Sequence, residues 1–229
     1  RKNQEKSIAR LSRVEMVLSG INSAIVRLHD RQELFDEACR IAVEYGDFGM
    51  AWIGLLDHDT MEVTPVAYKG TGQQFLGKIR LSARGDLPED EGTTGQALRS
   101  KKPAFCNNLE ASPQIGIGRE EAIRRGCYSV IALPLLMEDT VAGVFVLYAK
   151  EPEFFDEEEL RLLTELAGDI SFALDYIQKR EKVDYLAFYD VLTGLPNRNL
   201  FADRLSQHIG SDAHGDQLVA VAILDIERL

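Results

Sequence analysis

The chain has 229 residues, 45% hydrophobic and 28% charged, with a net charge of −11 and a pI near 4.9. This composition is typical of a soluble globular protein and excludes a disordered chain. The acidic charge disfavours anionic partners, so we expect no nucleic-acid binding and no direct membrane contact. The longest apolar stretches, Val130–Met137 and Val141–Ala149, are of strand length and too short to cross a bilayer.

The chain has three cysteines, Cys39, Cys106 and Cys127, so one thiol stays unpaired under any disulfide scheme. None belongs to a Cys-x-x-Cys pair, and no Cys/His cluster has the spacing of zinc ligands. A reducing compartment is the simplest interpretation, and we expect a cytoplasmic location.

Two helices are predicted at the start of the chain. The first runs from Gln4 to His29 and carries apolar residues at alternating spacings of three and four, a heptad pattern. The second runs from Arg31 to Tyr45, with Asp30 and Glu33 placed as a capping pair and Gly46 at its end. The heptad positions of the first helix are Leu11, Val14, Leu18, Ile21, Ile25 and Leu28.

The middle of the chain reads as an antiparallel sheet with short helices. Strands are predicted at Met50–Leu56 and Glu62–Lys69, at Phe105–Asn107, and in a hairpin of Ser129–Leu136 and Val141–Lys150 around a Glu138-Asp139 turn. A short helix capped by Thr93 or Thr94 is predicted to run through Lys101, and a second helix is predicted from Arg119 to Arg125. The predicted fold class is α+β, an antiparallel sheet flanked by helices.

A long exit helix is predicted from Asp156 to about Tyr189, with Asp156 and Glu159 forming a capping box. It carries two apolar stripes, one that packs on the domain's own sheet and one that is free for a partner helix. We therefore expect a parallel homodimer; the alternative is that both stripes pack inside one domain. The stripes are Leu160, Leu163, Ala167, Ile170, Leu174 and Ile177, and Leu162, Leu166, Ala173 and Tyr176.

Residues 31–179 resemble a GAF domain. The resemblance lies in this order of elements and in short motifs at family spacing. These motifs are Ala51-Trp52-Ile53-Gly54-Leu55-Leu56, Gly92-Thr93-Thr94-Gly95-Gln96-Ala97-Leu98, Gly126-Cys127-Tyr128-Ser129, Pro134-Leu135, Gly143-Val144-Phe145 and Phe154-Phe155-Asp156-Glu157. The segment from Gly92 to Gly95 lacks a P-loop ending and a preceding strand, so we interpret it as a turn that opens a helix rather than as a phosphate site.

The end of the chain carries one continuous motif, Asp190-Val191-Leu192-Thr193-Gly194-Leu195-Pro196-Asn197-Arg198, followed by Leu200-Phe201 and Asp203-Arg204-Leu205. This motif resembles the beginning of a GGDEF (diguanylate cyclase) domain. The local residues predict a tight turn at Thr193–Asn197, a helix from Arg198 to Ile209 and an apolar strand from Leu218 to Leu224. We expect everything after about Asp190 to be weakly held, because the partner strands of a GGDEF sheet would follow Leu229.

The GGDEF resemblance implies a magnesium site that grips the phosphates of GTP, with Asp225 as the first carboxylate ligand and Ile226 as the carbonyl ligand. The name-giving Gly-Gly-Asp/Glu-Glu-Phe loop would follow Leu229. We therefore expect this chain to be without catalytic activity, and magnesium and GTP to bind only in an intact cyclase. Glu227 and Leu229 replace a more usual Asp and aromatic residue, which leaves open a degenerate GGDEF domain followed by an EAL phosphodiesterase domain.

We divide the chain into an N-terminal signalling helix (1–30), a GAF sensor domain (31–179), a linker helix (180–189) and the truncated start of an α/β GGDEF domain (190–229). The resemblance implies a sensory domain that binds an unidentified small molecule and controls a cyclic di-GMP cyclase through the exit helix. The candidate pocket residues are Trp52, Phe105, Asn107, Cys127, Tyr128 and Ser129. No cofactor is assigned to this pocket.

Three other functions are weighed. A catalytic GAF domain of the methionine-sulfoxide-reductase type would use Cys106 and Cys127, although buried cysteines are more often inert. A bilin sensor usually attaches its pigment to a Cys that is next to a His, and the chain has no such dipeptide. Cyclic-nucleotide binding has only a partial motif, because Phe155-Asp156-Glu157 follows Ala149-Lys150 where that motif begins Asn-Lys.

Overall fold

The computed structural model describes residues 2–71, 81–85, 92–112, 118–210 and 220–222. The chain divides into two compact units, Arg1–Ile177 and Gln178–Leu229. Within the described ranges the helices are α1 (Lys2–Arg27), α2 (Arg31–Glu44), α3 (Thr93–Ser100), α4 (Gly118–Arg124), α5 (Glu157–Phe188) and α6 (Arg198–Gly210). The strands are β1 (Met50–Leu56), β2 (Glu62–Gly70), β3 (Leu81–Ser82), β4 (Ala104–Cys106), β5 (Ser129–Met137) and β6 (Thr140–Ala149).

The first unit is built on one antiparallel sheet, which in the described residues has the strand order β3-β2-β1-β6-β5-β4. The β5–β6 hairpin closes through Glu138 and Asp139, whose φ values of 47° and 63° suit a two-residue turn that matches the twist of its strands. The predicted α+β class, with an antiparallel sheet flanked by helices, is confirmed. The five strands predicted within residues 31–179 also form, with bounds that differ by at most one residue at either end.

One face of the sheet, which we call the helix face, packs against α1, α2 and α5. Alternate residues of the central strands point to this side, because successive side chains of a strand face opposite ways. The strand residues of this core are Ala51, Ile53, Ala67, Ile131, Leu133, Leu135, Phe145 and Leu147.

The heptad positions of α1 and both stripes of α5 enter this same core. On α1, Val14 and Ile21 are fully buried and the other heptad positions are partly buried against the core. On α5, both stripes are buried except for Leu160, which is partly buried, and Tyr176, which is exposed. The helix α1 finds its partner in α2 and the sheet core, so these residues follow the alternative in which both stripes pack inside one domain.

Both predicted caps of the long helices form. Asp30 is the N-cap of α2 and its side chain accepts a hydrogen bond from the Glu33 N–H at 2.9 Å. At the start of α5 the Asp156 carboxylate accepts from the Glu158 and Glu159 N–H groups at 3.0 and 3.3 Å, and the Asp156 N–H donates to Glu159 Oε2 at 3.3 Å. This reciprocal arrangement is the predicted capping box.

The short helix α3 begins differently from the prediction. Its N-cap is Gly92, which makes no side-chain capping bond, and Thr93 is the first helical residue. The prediction that Thr93 or Thr94 caps the helix is therefore wrong. Both threonines are buried at the start of the helix.

The second unit contains the end of α5, a turn and helix α6. Tyr185 and Tyr189 stack with ring centroids 4.8 Å apart and planes at 9°. Of the predicted strand Leu218–Leu224, only Ala220–Ala222 are described, and they have no regular secondary structure. Among the helices of the described residues, none has the length and apolar character needed to cross a membrane.

Candidate functional site

The second face of the sheet, which we call the Trp52 face, carries the candidate pocket. Two rows of side chains cross it from strand to strand. The first row is Tyr68, Trp52, Val146, Ala132 and Ala104, and the second is Met50, Tyr148, Val130 and Cys106. Ala97 and Leu98 of α3 and Ala122 of α4 pack into the same cluster, so this face is covered by the two short helices.

Trp52 lies at the centre of this face and is 1% exposed. Its indole N–H approaches the Tyr148 hydroxyl closely enough to influence the tyrosine pKa, but without the geometry of a hydrogen bond. We therefore treat the indole N–H as buried and unpaired. Burial of the Tyr148 hydroxyl raises its pKa above the ordinary range, although the residue as a whole is only partly buried. The face is thus aromatic, with one unsatisfied donor.

Cys127 is buried in this cluster beside the start of β5. Gly49 makes room for it, because a Cβ at Gly49 would lie 2.6 Å from Cys127 Sγ. Burial raises the pKa of the Cys127 thiol to about 11, against the opposing charges of Lys150 and Arg125. The thiol is therefore protonated at neutral pH and behaves as a small apolar side chain.

The other candidate pocket residues take different positions. Phe105 pairs with Ile131, so it faces the helix side, where it is 45% exposed. Ser129 also faces the helix side and donates to the Glu151 carbonyl at 2.7 Å. The Tyr128 N–H donates to the Ala149 carbonyl at 2.9 Å, while its own carbonyl accepts from the Leu109 N–H at 2.9 Å. Of the six candidates, Trp52 and Cys127 are brought together on the Trp52 face.

Asn107 follows Cys106 at the end of β4 and is fully engaged with the segment that precedes α5. Its Nδ2 donates to the Phe155 carbonyl at 2.7 Å, and its Oδ1 accepts from the Phe155 N–H at 2.9 Å. Its backbone carbonyl accepts from the Glu153 N–H at 2.8 Å. Both polar groups of the amide are thus used, so the side chain acts as a clamp between the edge strand and the start of α5.

The same segment is held from the other side by α1. The Arg10 guanidinium donates to the Glu153 carbonyl and lies 3.9 Å from the buried Glu159 carboxylate and 4.0 Å from Asp156. Its Cζ is 5.9 Å from the ring centroid of Phe154, a cation–π contact. Phe154 also packs against Phe48, with ring centroids 5.3 Å apart. The N-terminal helix therefore contacts the point at which the exit helix begins.

In the second unit, the predicted turn forms between α5 and α6. Gly194 has φ +69°, a conformation that favours glycine, and its N–H donates to the Asp190 carbonyl at 2.9 Å. The Asp190 carboxylate accepts from the Thr193 hydroxyl at 2.7 Å and from the Thr193 N–H at 2.9 Å, and these bonds hold the pKa of Asp190 below its ordinary value.

Asn197 joins the two helices that flank this turn. Its Oδ1 accepts from the Asn199 and Leu200 N–H groups at 2.9 and 3.1 Å, which caps α6. Its Nδ2 donates to the Ala187 carbonyl in the last turn of α5 at 2.9 Å. Asp225 and Ile226, the magnesium ligands implied by the GGDEF resemblance, lie outside the described residues.

Sequence reasoning missed Tyr68, Tyr148 and the clamping role of Asn107. Tyr148 could have been found, because it lies two residues from Val146, the partner of Trp52, on a strand whose alternate residues face one way. The candidates Cys127, Tyr128 and Ser129 are consecutive, and consecutive residues entering a strand cannot all face one pocket. For Asn107 the sequence holds no signal, since its partner Phe155 lies 48 residues away.

Comparison with protein families identifies two domains in succession along the chain. The profile of the GAF domain matches residues 29–175, and the profile of the diguanylate cyclase GGDEF domain matches residues 187–229. A comparison with curated proteins finds no match.

Solved structures with the same fold are distant in sequence. The GAF domain of a phosphoenolpyruvate-protein phosphotransferase from Coxiella burnetii is 16% identical, with a TM-score of 0.62 over 75% of this chain and 98% of that one. A free methionine-R-sulfoxide reductase from Neisseria meningitidis, in complex with its substrate, is 19% identical, with a TM-score of 0.60 over 73% of this chain and 91% of that one.

At this identity the likeness to solved structures establishes the fold alone, whereas the GAF match spans more than half of the chain. The chain therefore belongs to the GAF domain family, and a short GGDEF segment follows its GAF domain.

Proposed function

We propose that this chain is the sensory and coupling part of a cyclic di-GMP signalling protein, in which the GAF domain controls a diguanylate cyclase. The observation that carries the proposal is α5. One uninterrupted helix begins at the capping box of Asp156 in the GAF core and ends at Phe188, directly before the Asp190–Asn197 turn of the GGDEF segment. This helix is the segment of the chain through which a change at its start would reach the next domain.

Control of a cyclase through such a helix has a physical basis. In the reaction of diguanylate cyclases, each of two GGDEF domains holds one GTP. The rate therefore depends on how the two domains are positioned. A ligand that favours one state of the GAF domain over another shifts this positioning by its difference in affinity. The Trp52 face, with its aromatic cluster and unpaired indole N–H, supports a small-molecule site there.

A homodimer is part of this proposal. Within the GAF part of α5, the exposed large apolar residues are Phe172 and Tyr176, which are 73% and 56% exposed and four residues apart on one helix face. Gly168 lies one turn earlier, and a Cβ there would meet nothing within 4 Å. Sedimentation at tens of micromolar, a working range for weak interfaces, tests the dimer. Phe172→Glu should give monomers, and Phe105→Glu, an exposed aromatic on β4, should not.

The thiol chemistry disfavours a methionine-sulfoxide reductase. Such an enzyme needs a reactive thiolate, and burial raises the pKa of Cys127, one of the two cysteines that it would use. The GGDEF segment also favours the signalling proposal.

The experiment that tests the proposal changes the rotational phase of α5. Two residues inserted after Lys182 rotate the following part of the chain by about 200° about the axis of α5. An insertion of seven residues returns that part to within about 20° of its original orientation about the axis. Cyclic di-GMP synthesis from GTP would be measured in a chain whose residues 187–229 are continued by a complete GGDEF domain. We expect roughly a tenfold change with two residues and near-normal synthesis with seven, since misplaced reactants lose rate steeply. Equal effects of both insertions would refute control through α5.

A further inference from the structure

We infer that Asn107 is the coupling residue of this GAF domain: it transmits changes on the Trp52 face to the first turn of α5. The inference rests on the proposed function and identifies the residue through which a change in the pocket would reach α5. It assigns Asn107 a positioning role rather than the role of a pocket residue.

The first step is that β4 belongs to the Trp52 face. Ala104 and Cys106 point to this face, where they pair with Ala132 and Val130 of β5. In the described residues β4 is one of the two edge strands and pairs with one neighbour, so it can shift more readily than the central strands. A change in packing at Val130 is felt directly by Cys106, and Asn107 is the next residue.

The second step is the clamp itself. Three hydrogen bonds join Asn107 to residues 153 and 155, two through the side-chain amide and one through the backbone carbonyl. The side-chain pair is reciprocal, with one donor and one acceptor on each partner, so Phe155 cannot move relative to Asn107 without losing both bonds. Glu153 has φ 53°, a conformation uncommon for its residue type, which shows that this segment is held in place.

The third step is what Phe155 controls. Its ring is 2% exposed and lies in the core of the helix face, with its centroid 5.1 Å from that of Phe154. The next residue is Asp156, the N-cap of α5. Asn107 therefore links one face of the sheet to the other and to the cap of the exit helix. Arg10 contacts Glu153 and Asp156 from α1, so the N-terminal helix acts on the same segment.

The test is a double-mutant cycle read by amide hydrogen exchange in the 229-residue chain. Val130→Ala perturbs the Trp52 face, and exchange is followed at Glu158–Leu160, whose amides donate to Asp156 and not to Asn107. Ile53, in the sheet core, reports global opening and is used to normalise the rates. Asn107→Ala removes the clamp. Asn108→Ala is the matched control, because the Asn108 side chain accepts only from the nearby Ala111 N–H at 3.1 Å among the bonds of the described residues.

We expect Val130→Ala to speed exchange at these amides by about threefold or more when Asn107 is present, and to have little further effect after Asn107→Ala. The Asn108→Ala background should behave like the wild type. If Asn107→Ala does not fold, Asn107→Asp serves instead, because it keeps the shape and the acceptor but loses the donor to the Phe155 carbonyl. An effect of Val130→Ala that is equal in both Asn107 backgrounds, or absent in the wild type, overturns the inference. Neither a ligand nor cyclase activity is needed, so this result is independent of the insertion experiment.

Discussion

Arg10 of α1 and Glu159 of α5 form an ion pair at 3.9 Å in which the carboxylate side chain is 1% exposed and the arginine side chain 14%. Glu159 also accepts from the Asp156 N–H and so completes the capping box of α5. The pair joins the first helix of the chain to the exit helix, which lies far away in sequence. A buried pair contributes little net stability when intact, but the loss of one partner leaves an uncompensated charge.

Glu159→Gln should therefore destabilise the GAF domain by about 3 kcal/mol, the low end for a broken buried pair, because Arg10 keeps its bond to the Glu153 carbonyl. The matched control is Glu158→Gln, whose partner Arg161 is exposed, and which should change stability by at most about 0.5 kcal/mol. Urea unfolding followed by circular dichroism measures both. Equal midpoints for the two variants would show that the buried charge is not needed.

Ser171 satisfies a backbone group that the sheet leaves unpaired. The register of β5 and β6 shifts between Leu135 and Leu136, and the Leu136 N–H donates to Ser171 Oγ at 3.0 Å. The hydroxyl in turn donates to the Ala167 carbonyl at 2.6 Å. Ser171→Ala should cost about 1–3 kcal/mol in the free energy of unfolding, because a buried N–H then lacks a partner.

Thr164→Ala separates this role from ordinary helix effects. Its hydroxyl donates to the Leu160 carbonyl in the same way, but the residue is exposed and accepts no bond from the sheet in the described residues. Its unfolding free energy should change by less than about 0.5 kcal/mol. Exchange of the Leu136 amide should rise only in Ser171→Ala, and protection of this amide in that variant would contradict the prediction.

The sequence predicts the order of elements in this fold better than their roles. The hairpin, the long helices and the capping box at Asp156 follow from patterns within a few residues, so local physics determines them. The burial of both stripes of α5 does not, because a heptad pattern is the same whether its partner is another chain or the domain's own core. The clamp of Asn107 on Phe155 and the contact of Ser171 with the β-bulge join distant residues, and only the folded chain brings them together.

Cys127 should be nearly unreactive in the native protein. With a pKa of about 11, its thiolate fraction at pH 8 is about 0.1%, against roughly a quarter for an ordinary thiol. Pulsed alkylation with iodoacetamide, read residue by residue by mass spectrometry, should therefore label Cys127 about a hundredfold more slowly than in the unfolded chain. The raised pKa also means that the buried, protonated Cys127 thiol stabilises the folded protein at pH values below the ordinary thiol pKa. This contribution is lost as the pH rises toward 11. Equal labelling of native and unfolded protein at pH 8 would contradict the prediction and favour thiol chemistry.

The last prediction concerns the turn that leads into the GGDEF segment. The Thr193 hydroxyl is the largest cause of the lowered pKa of Asp190, followed by the Thr193 N–H. Carbon-13 NMR titration of the Asp190 carboxyl group should give a pKa below the ordinary value of about 3.9. Because the pKa of Asp190 is lowered in the folded protein, these bonds stabilise the turn at pH values above the ordinary pKa of an aspartate. This stabilisation is lost as the pH falls through the lowered pKa.

Two substitutions at Thr193 test the cause. Thr193→Val keeps the shape and removes the hydroxyl, so the pKa of Asp190 should move back toward the ordinary value. Thr193→Ser keeps the hydroxyl and should leave the pKa lowered. Amide hydrogen exchange over the same pH range tests whether the turn opens in acid. The Gly194 N–H donates to the Asp190 carbonyl, so on opening it should exchange faster at low pH than the pH dependence of an unprotected amide accounts for. An Asp190 pKa that is the same in Thr193→Val and Thr193→Ser would mean that the hydroxyl bond does not hold the turn.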